Sequence, residues 1–248
     1  MKKLFINVRY WMAPLLILVT LAGVLLGGPY VWVGVVLFGI GLIIDTATIP
    51  FHPPGAGVDE NGETYGLPTL QNVVMYVMLP VFVLLQVALA WRIYQYTSGV
   101  PIGDGLLFGV IPTQMGITGW ELVGASISTG IFAGIGIIYG HELAHTKGFS
   151  FVISRLIMGL SGSSHFSYAH VYNHHLELAH QDDPATSPRG RSIYRHFWLS
   201  HMGQSKFLYQ MEKTRLTKLG KPFISYENRW IRGYLMSLPT MVLFTWAG

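Results

Sequence analysis

The sequence predicts an all-α integral membrane protein, a multi-span helical bundle with a cytoplasmic histidine-rich cap, and three observations carry that reading. Of 248 residues, 51% are hydrophobic and only 11% charged, whereas a soluble domain carries about 25% charged residues. The apolar residues fall in runs long enough to cross a bilayer, which takes about 20 helical residues. Seven of the ten histidines lie between His141 and His180, just past one such run. There is no cysteine, which excludes disulfides, thiolate metal sites and iron–sulfur clusters within the chain. The net charge of +4 is small and its basic residues are clustered. Nucleic-acid binding would want a broad basic face.

The elements follow in order, as one membrane-embedded domain over residues 1–248. Met1-Lys2-Lys3 could open a signal peptide, but the run from Tyr10 to Leu26 is too long for its apolar region and lacks a small-residue cleavage site. It reads as an uncleaved first span. Gly27-Gly28-Pro29 turns the chain into a second span, Tyr30 to Ile49, which Pro50 ends. Phe51 to Pro68 is a polar Gly- and Pro-rich loop. The third span covers Thr69 to Tyr96, and a Gly/Pro-rich segment from Ser98 to Thr118 follows, partly interfacial. The fourth, Gly119 to Tyr139, delivers the chain to His141. Phe149 to Leu160 is apolar but too short to cross, so a re-entrant or packed helix is expected. A polar segment runs from Ser161 to Arg229, and a fifth span begins near Ile231 and reaches Gly248.

Twelve of the sixteen Lys and Arg residues lie between Lys147 and Arg232, and Lys2, Lys3 and Arg9 precede the first span. Basic residues stay on the cytoplasmic side. The N-terminus and the histidine-rich segment are therefore expected in the cytoplasm, and four crossings agree with this. The implied location is a bacterial-type inner membrane.

Five histidines sit at ligand spacing: His141-Glu142-Leu143-Ala144-His145 and His170-Val171-Tyr172-Asn173-His174-His175. Imidazole is the commonest side-chain metal ligand at neutral pH. Residues four apart share a helix face, so His141 and His145 can address one ion, as can His170 and His174. His175 is then expected about 100° away around the helix, facing a second metal. Glu142 is the candidate catalytic carboxylate, as an oxygen ligand, as an acceptor orienting an imidazole, or as the base of a zinc protease. The first motif is H-E-x-x-H, which makes a protease one reading; a desaturase-like di-iron oxidase and a di-iron hydroxylase are the others. Three histidines in the second cluster favour the last two, since a protease needs one further ligand. All-nitrogen ligation suits iron, zinc or copper alike.

His141-Glu142-Leu143-Ala144-His145-Thr146-Lys147, and Ala169-His170-Val171-Tyr172-Asn173-His174-His175 with its Asp182-Asp183-Pro184 tail, resemble the histidine boxes of the membrane alkane hydroxylase and xylene monooxygenase family. The resemblance runs over essentially the whole chain. It implies a non-haem di-iron monooxygenase that uses O₂ to hydroxylate a terminal or benzylic methyl group of a hydrocarbon. It also implies electrons from a rubredoxin or ferredoxin-type reductase. By position, His141, His145, His170, His174 and His175 would be iron ligands. The family carries further histidines downstream, and no histidine follows His201 here. The sequence is therefore expected to be a fragment lacking its C-terminal ligands, inactive alone. Ala169 stands where many alkane-hydroxylating members carry Glu, which weakens a choice of linear alkanes over aromatic side chains.

Other residues receive plainer readings. His165, His180 and the intramembrane Asp45 are expected to support the site from outside the ligand set. His52, His196 and His201 read as polar-loop residues. Glu121 suits the start of its helix, and Trp11, Trp91, Tyr94, Trp120 and Tyr139 an interfacial belt. The basic stretch Lys206 to Lys221 could dock an acidic electron carrier or meet lipid headgroups.

Overall fold

The computed structural model describes residues 2–48, 68–180 and 182–248. The predicted loop 51–68 falls almost wholly outside the described residues, and so does His52. Packing divides the chain into two units, residues 1–135 with 242–248, and residues 136–241.

In the first unit, α1 (Lys2–Leu26) stops at Gly27 and Gly28, whose φ angles of 79° and 56° are left-handed and suit glycine. Pro29 then opens a single 3-10 turn, Gly28–Trp32, leading into α2 (Val33–Thr48). Helix α3 (Pro68–Thr97) is the main partner of α1. Ile17, Leu21 and Val24 on one, and Met78, Phe82 and Leu85 on the other, are buried at helical spacing. The segments Gly28–Thr48, Thr69–Thr97 and the next long helix, α4 (Gly119–Ala144), are long and apolar enough to cross a membrane. The first predicted span corresponds to the apolar stretch Trp11–Leu26 of α1.

Lipid tails are as apolar as leucine, so helices in a membrane associate through close packing and hydrogen bonds. Gly34 shows the first: a Cβ there would lie 2.7 Å from the Ser128 Cβ and 2.9 Å from the Thr20 Cγ2. Ser128 shows the second, its Oγ donating to Val31 O at 2.7 Å. Phe38, Ile40, Leu42 and Ile44 of α2 are exposed on more than one side of the helix, apolar side chains that suit lipid.

The Gly/Pro-rich segment 98–118, expected to be partly interfacial, contains an antiparallel hairpin of β1 (Gly103–Leu107) and β2 (Ile111–Met115). This is the departure from an all-α chain among the described residues. Its cause is non-local. The last carbonyls of α1 have no partner within the helix, and β2 brings Thr113, whose Oγ1 donates to Leu25 O at 2.6 Å. Arg92, fully buried, completes the joint. It donates to Val24 O and Leu25 O at 2.7 Å each and to Gln114 O at 2.8 Å.

In the second unit, α5 (Phe149–Leu160) has 12 residues, about 18 Å, too short to cross, as expected. A helical run then comprises α6 (Phe166–Ala169), a π-helical turn (His170–His174) and α7 (His175–Glu177). Helix α8 (Ile193–Lys218) is capped by Ser192, and α9 (Arg229–Leu235) by Asn228. The buried Glu212 of α8 accepts from the Arg229 backbone N–H at 2.9 Å, and from Arg215 at 2.6 and 2.8 Å.

The predicted fifth span is not continuous: α9 ends at Leu235, and α10 (Leu238–Ala247) starts afresh. Tyr234 and Trp230 bond Ser205 Oγ at 2.6 and 3.1 Å, which packs α9 on α8. His196 and His201 lie on α8, not in a loop.

Candidate metal centre

The last turn of α4 carries His141, and His145 follows the end of the helix. Their position is fixed by Ser154 of α5, whose Oγ donates to Gly140 O at 2.6 Å and meets Ser167 Oγ of α6 at 3.0 Å. One hydroxyl thus ties the first histidine segment to the helix carrying the second. A nitrogen from each of His141, His145 and His170 lies within 4.8 Å of the others. Ring centroids of His141 and His170 are 4.3 Å apart, those of His145 and His175 4.8 Å.

The second motif differs from its α-helical expectation. The His175 N–H bonds His170 O, five residues back, so residues five apart, not four, come together. His170 Nε2 and His175 Nε2 stand 3.0 Å apart. His175 therefore faces back into the cluster instead of about 100° away. A single widened turn of this kind is rare and recurs at functional sites.

His174 is turned by another group. Its Nδ1 lies 2.7 Å from Asp183 Oδ2, and the Asp183 side chain is fully buried. Asp183 also accepts from Thr186 Oγ1 at 2.5 Å and the Ala185 N–H at 2.9 Å. Burial works to raise the Asp183 carboxyl, but the bonds from Thr186, His174 and Ala185 outweigh it and hold it below the usual carboxylate range. An ionised carboxylate accepts a hydrogen bond from the Nδ1–H of His174, which leaves Nε2 with a free lone pair. The sequence reading missed this role, although Asp183 followed by Thr186 is a side-chain turn signature.

His170 is pushed down to about 3, first by burial and then by the neighbouring imidazoles; it is neutral, as a ligand must be. Phe166 stacks on it at 5.2 Å. Two imidazole nitrogens on one ion, each about 2.1 Å from it, can lie up to about 4.2 Å apart. The three nitrogens lie within 4.8 Å of one another, a few tenths of an ångström beyond that span, and all are imidazole donors, so the donor set suits a metal ion that draws them slightly closer. A cavity of about 420 Å³ borders His145 and His175, with Phe151 and Lys147 in its wall.

Glu142 is exposed. His180 is exposed beside Glu177 and Asp182, at 3.8 and 3.4 Å. Asp45 lies on α2 in the first unit. His165 is buried and pairs with His201 at 4.8 Å, stacked flat on Tyr234 at 5.5 Å. Burial first, and His201 second, push His165 down to about 4.

The sequence profile described as "Fatty acid desaturase" matches residues 118–248, more than half of the chain and the whole of the histidine centre. The chain belongs to the fatty acid desaturase family. Within it, the similarity is to the alkane hydroxylase and xylene monooxygenase branch. Alkane 1-monooxygenase 1 of Alcanivorax borkumensis is 28% identical over 214 residues, 84% of this chain and 48% of the relative. Alkane 1-monooxygenase of Acinetobacter baylyi is 34% identical over 112 residues, 45% of this chain and 28% of the relative. The hydroxylase component of the xylene/toluene monooxygenase of Pseudomonas putida is 24% identical over 243 residues, 96% of this chain and 59% of the relative. The chain thus spans about half the length of the curated relatives it matches.

Proposed function

We propose that this chain carries part of the centre of a membrane di-iron monooxygenase that hydroxylates a terminal or benzylic methyl group of a hydrocarbon. The observation that supports it best is the convergence of His141, His145, His170 and His175, with His170 and His175 brought to 3.0 Å by the π-helical turn. His141, His145, His170, His174 and His175 would hold iron, and Glu142 would act beside them as an outer carboxylate. Iron with O₂ would supply the oxidising power for C–H cleavage. The chain's own work is to keep His170 neutral by burying it, to orient His174 through Asp183, and to stack Phe166 against His170. The apolar helices would draw the substrate from the bilayer, which concentrates it. Electrons would come from a rubredoxin or ferredoxin-type reductase on the cytoplasmic side, where the histidine segment would lie if basic residues stay in the cytoplasm.

Metal analysis of the membrane protein, with an assay of octane and xylene oxidation driven by NADH, reductase and rubredoxin or ferredoxin, tests this reading. Iron binding that is lost on His170→Ala, together with alcohol formation when the partner components are present, is expected. One zinc per chain and no iron would overturn it in favour of the protease reading.

A further inference from the structure

The second unit contains a buried guanidinium with two nitrogens that no group among the described residues satisfies. Arg155 of α5 is 4% exposed, and its Nε and Nη2 have no hydrogen-bond partner among the described residues. Its guanidinium lies over the Tyr168 ring at 4.8 Å, which offers attraction but no lone pair in the plane of the N–H groups. Arg229 sits over the same ring at 5.4 Å. Arg232 lies over Tyr226 at 5.3 Å, and its Nε is likewise buried without a partner. Arg229 and Arg232 are both near enough to repel the charge of Arg155.

The surrounding charges do not balance. Glu212 is already occupied by Arg215 and the Arg229 backbone, and its carboxylate is 3.9 Å from Arg229 Nε. Glu227 is held by Lys221. Arg155 and Arg232 are left with no carboxylate bonded to them among the described residues. An unpaired buried charge costs several kcal/mol, and the fork of N–H groups on a guanidinium matches the oxygens of a phosphate. The neighbouring loop has Ile224 and Tyr226 strongly exposed, at 86% and 79%, on either side of Ser225, whose hydroxyl is buried without a partner. Exposed apolar side chains beside a cationic site suit a membrane interface.

We propose that Arg155 and Arg232, assisted by Arg229, bind a phosphate group, with an anionic phospholipid headgroup as its source. The site is separate from the histidine cluster and does not depend on its metal. Its role would be to complete the charge of the α5–α9 packing once the protein is in its membrane.

The test uses the full chain in dodecylmaltoside micelles, which carry no phosphate. Phosphatidylglycerol or inorganic phosphate is added, and retained lipid is read by native mass spectrometry and stability by the thermal midpoint. Phosphatidylglycerol is expected to be retained and to raise the midpoint. Arg155→Met and Arg232→Gln should each weaken the response about tenfold or more, as loss of a charged hydrogen bond does. Without phosphate, Arg155→Met should be at least as stable as the parent, because methionine replaces a partnerless charge. If Arg155→Met does not fold, the partly exposed Arg232→Gln decides. An equal response to millimolar inorganic phosphate would support phosphate binding with a free anion as the source. No response to either ligand, or an equal loss in Lys213→Gln on α8, would overturn the proposal.

Discussion

Asp183→Asn tests how the centre is oriented. Asp183 Oδ2 receives His174 Nδ1 at 2.7 Å and Thr186 Oγ1 at 2.5 Å, while Oδ1 receives the Ala185 N–H at 2.9 Å. Asparagine has nearly the same shape but only one oxygen. If that oxygen keeps Ala185, the amide NH₂ faces His174 and requires Nδ1 to accept. The imidazole proton then moves to Nε2 and removes the lone pair meant for the ion. Mutating the outer partner of a ligating histidine typically costs 10–100-fold in metal affinity, and that range is expected here. Without metal, a charged hydrogen bond to a partly exposed histidine is lost, so stability should fall by roughly 1–3 kcal/mol. Competition for Fe(II) against a chromogenic chelator, with thermal unfolding of the metal-free chain alongside, measures both. Unchanged affinity with reduced stability would refute the orienting role and leave Asp183 a turn residue.

Glu212→Gln should destabilise the second unit by about 2–4 kcal/mol, because Arg215 and the Arg229 N–H lose a buried carboxylate; chemical denaturation measures it. Burial works to raise this carboxyl, but bonds from Arg215 and Arg229 outweigh it and hold it below its usual range. Its contribution is therefore present above the unfolded value and lost as pH falls through the folded one. His165 has the same sign by a different route. Its folded value of about 4 lies below the ordinary imidazole value of 6.5, so its contribution is full above pH 6.5 and lost as pH falls towards 4. The span corresponds to about 3 kcal/mol, and His165→Phe should flatten that part of a stability–pH profile. Arg92→Lys should cost about 2–4 kcal/mol and loosen the hairpin, because one ammonium cannot reach the carbonyls of Val24, Leu25 and Gln114 together; hydrogen exchange at residues 103–115 reports it.

Much of the fold was legible in the sequence because hydropathy is a local sum. The runs 30–49, 69–96 and 119–139 coincide with long apolar helices where described, and 149–160 is the short helix its length required. The break at Met236 and Ser237 inside the last predicted segment was not legible in this way. Residues 231–248 are apolar enough in sum, but Trp230 and Tyr234 are committed to Ser205 on α8, a pairing no local window contains. The hairpin was hidden in a Gly-rich stretch because its anchor is the open end of α1, reached through Arg92 and Thr113.

The sequence by itself determined the kinds of atom at the centre: five imidazoles at helical spacing, at the end of an apolar helix, with no thiolate to compete. The tertiary structure alone decided which imidazoles meet. An α-helix pairs His170 with His174, whereas the π-helical turn pairs it with His175 and leaves His174 to Asp183. The two backbone patterns differ by one shifted hydrogen bond, a balance of order 1 kcal/mol. Contacts distant in sequence, such as Ser154 with Gly140 and Ser167, are large enough to set it, and spacing along the chain is not.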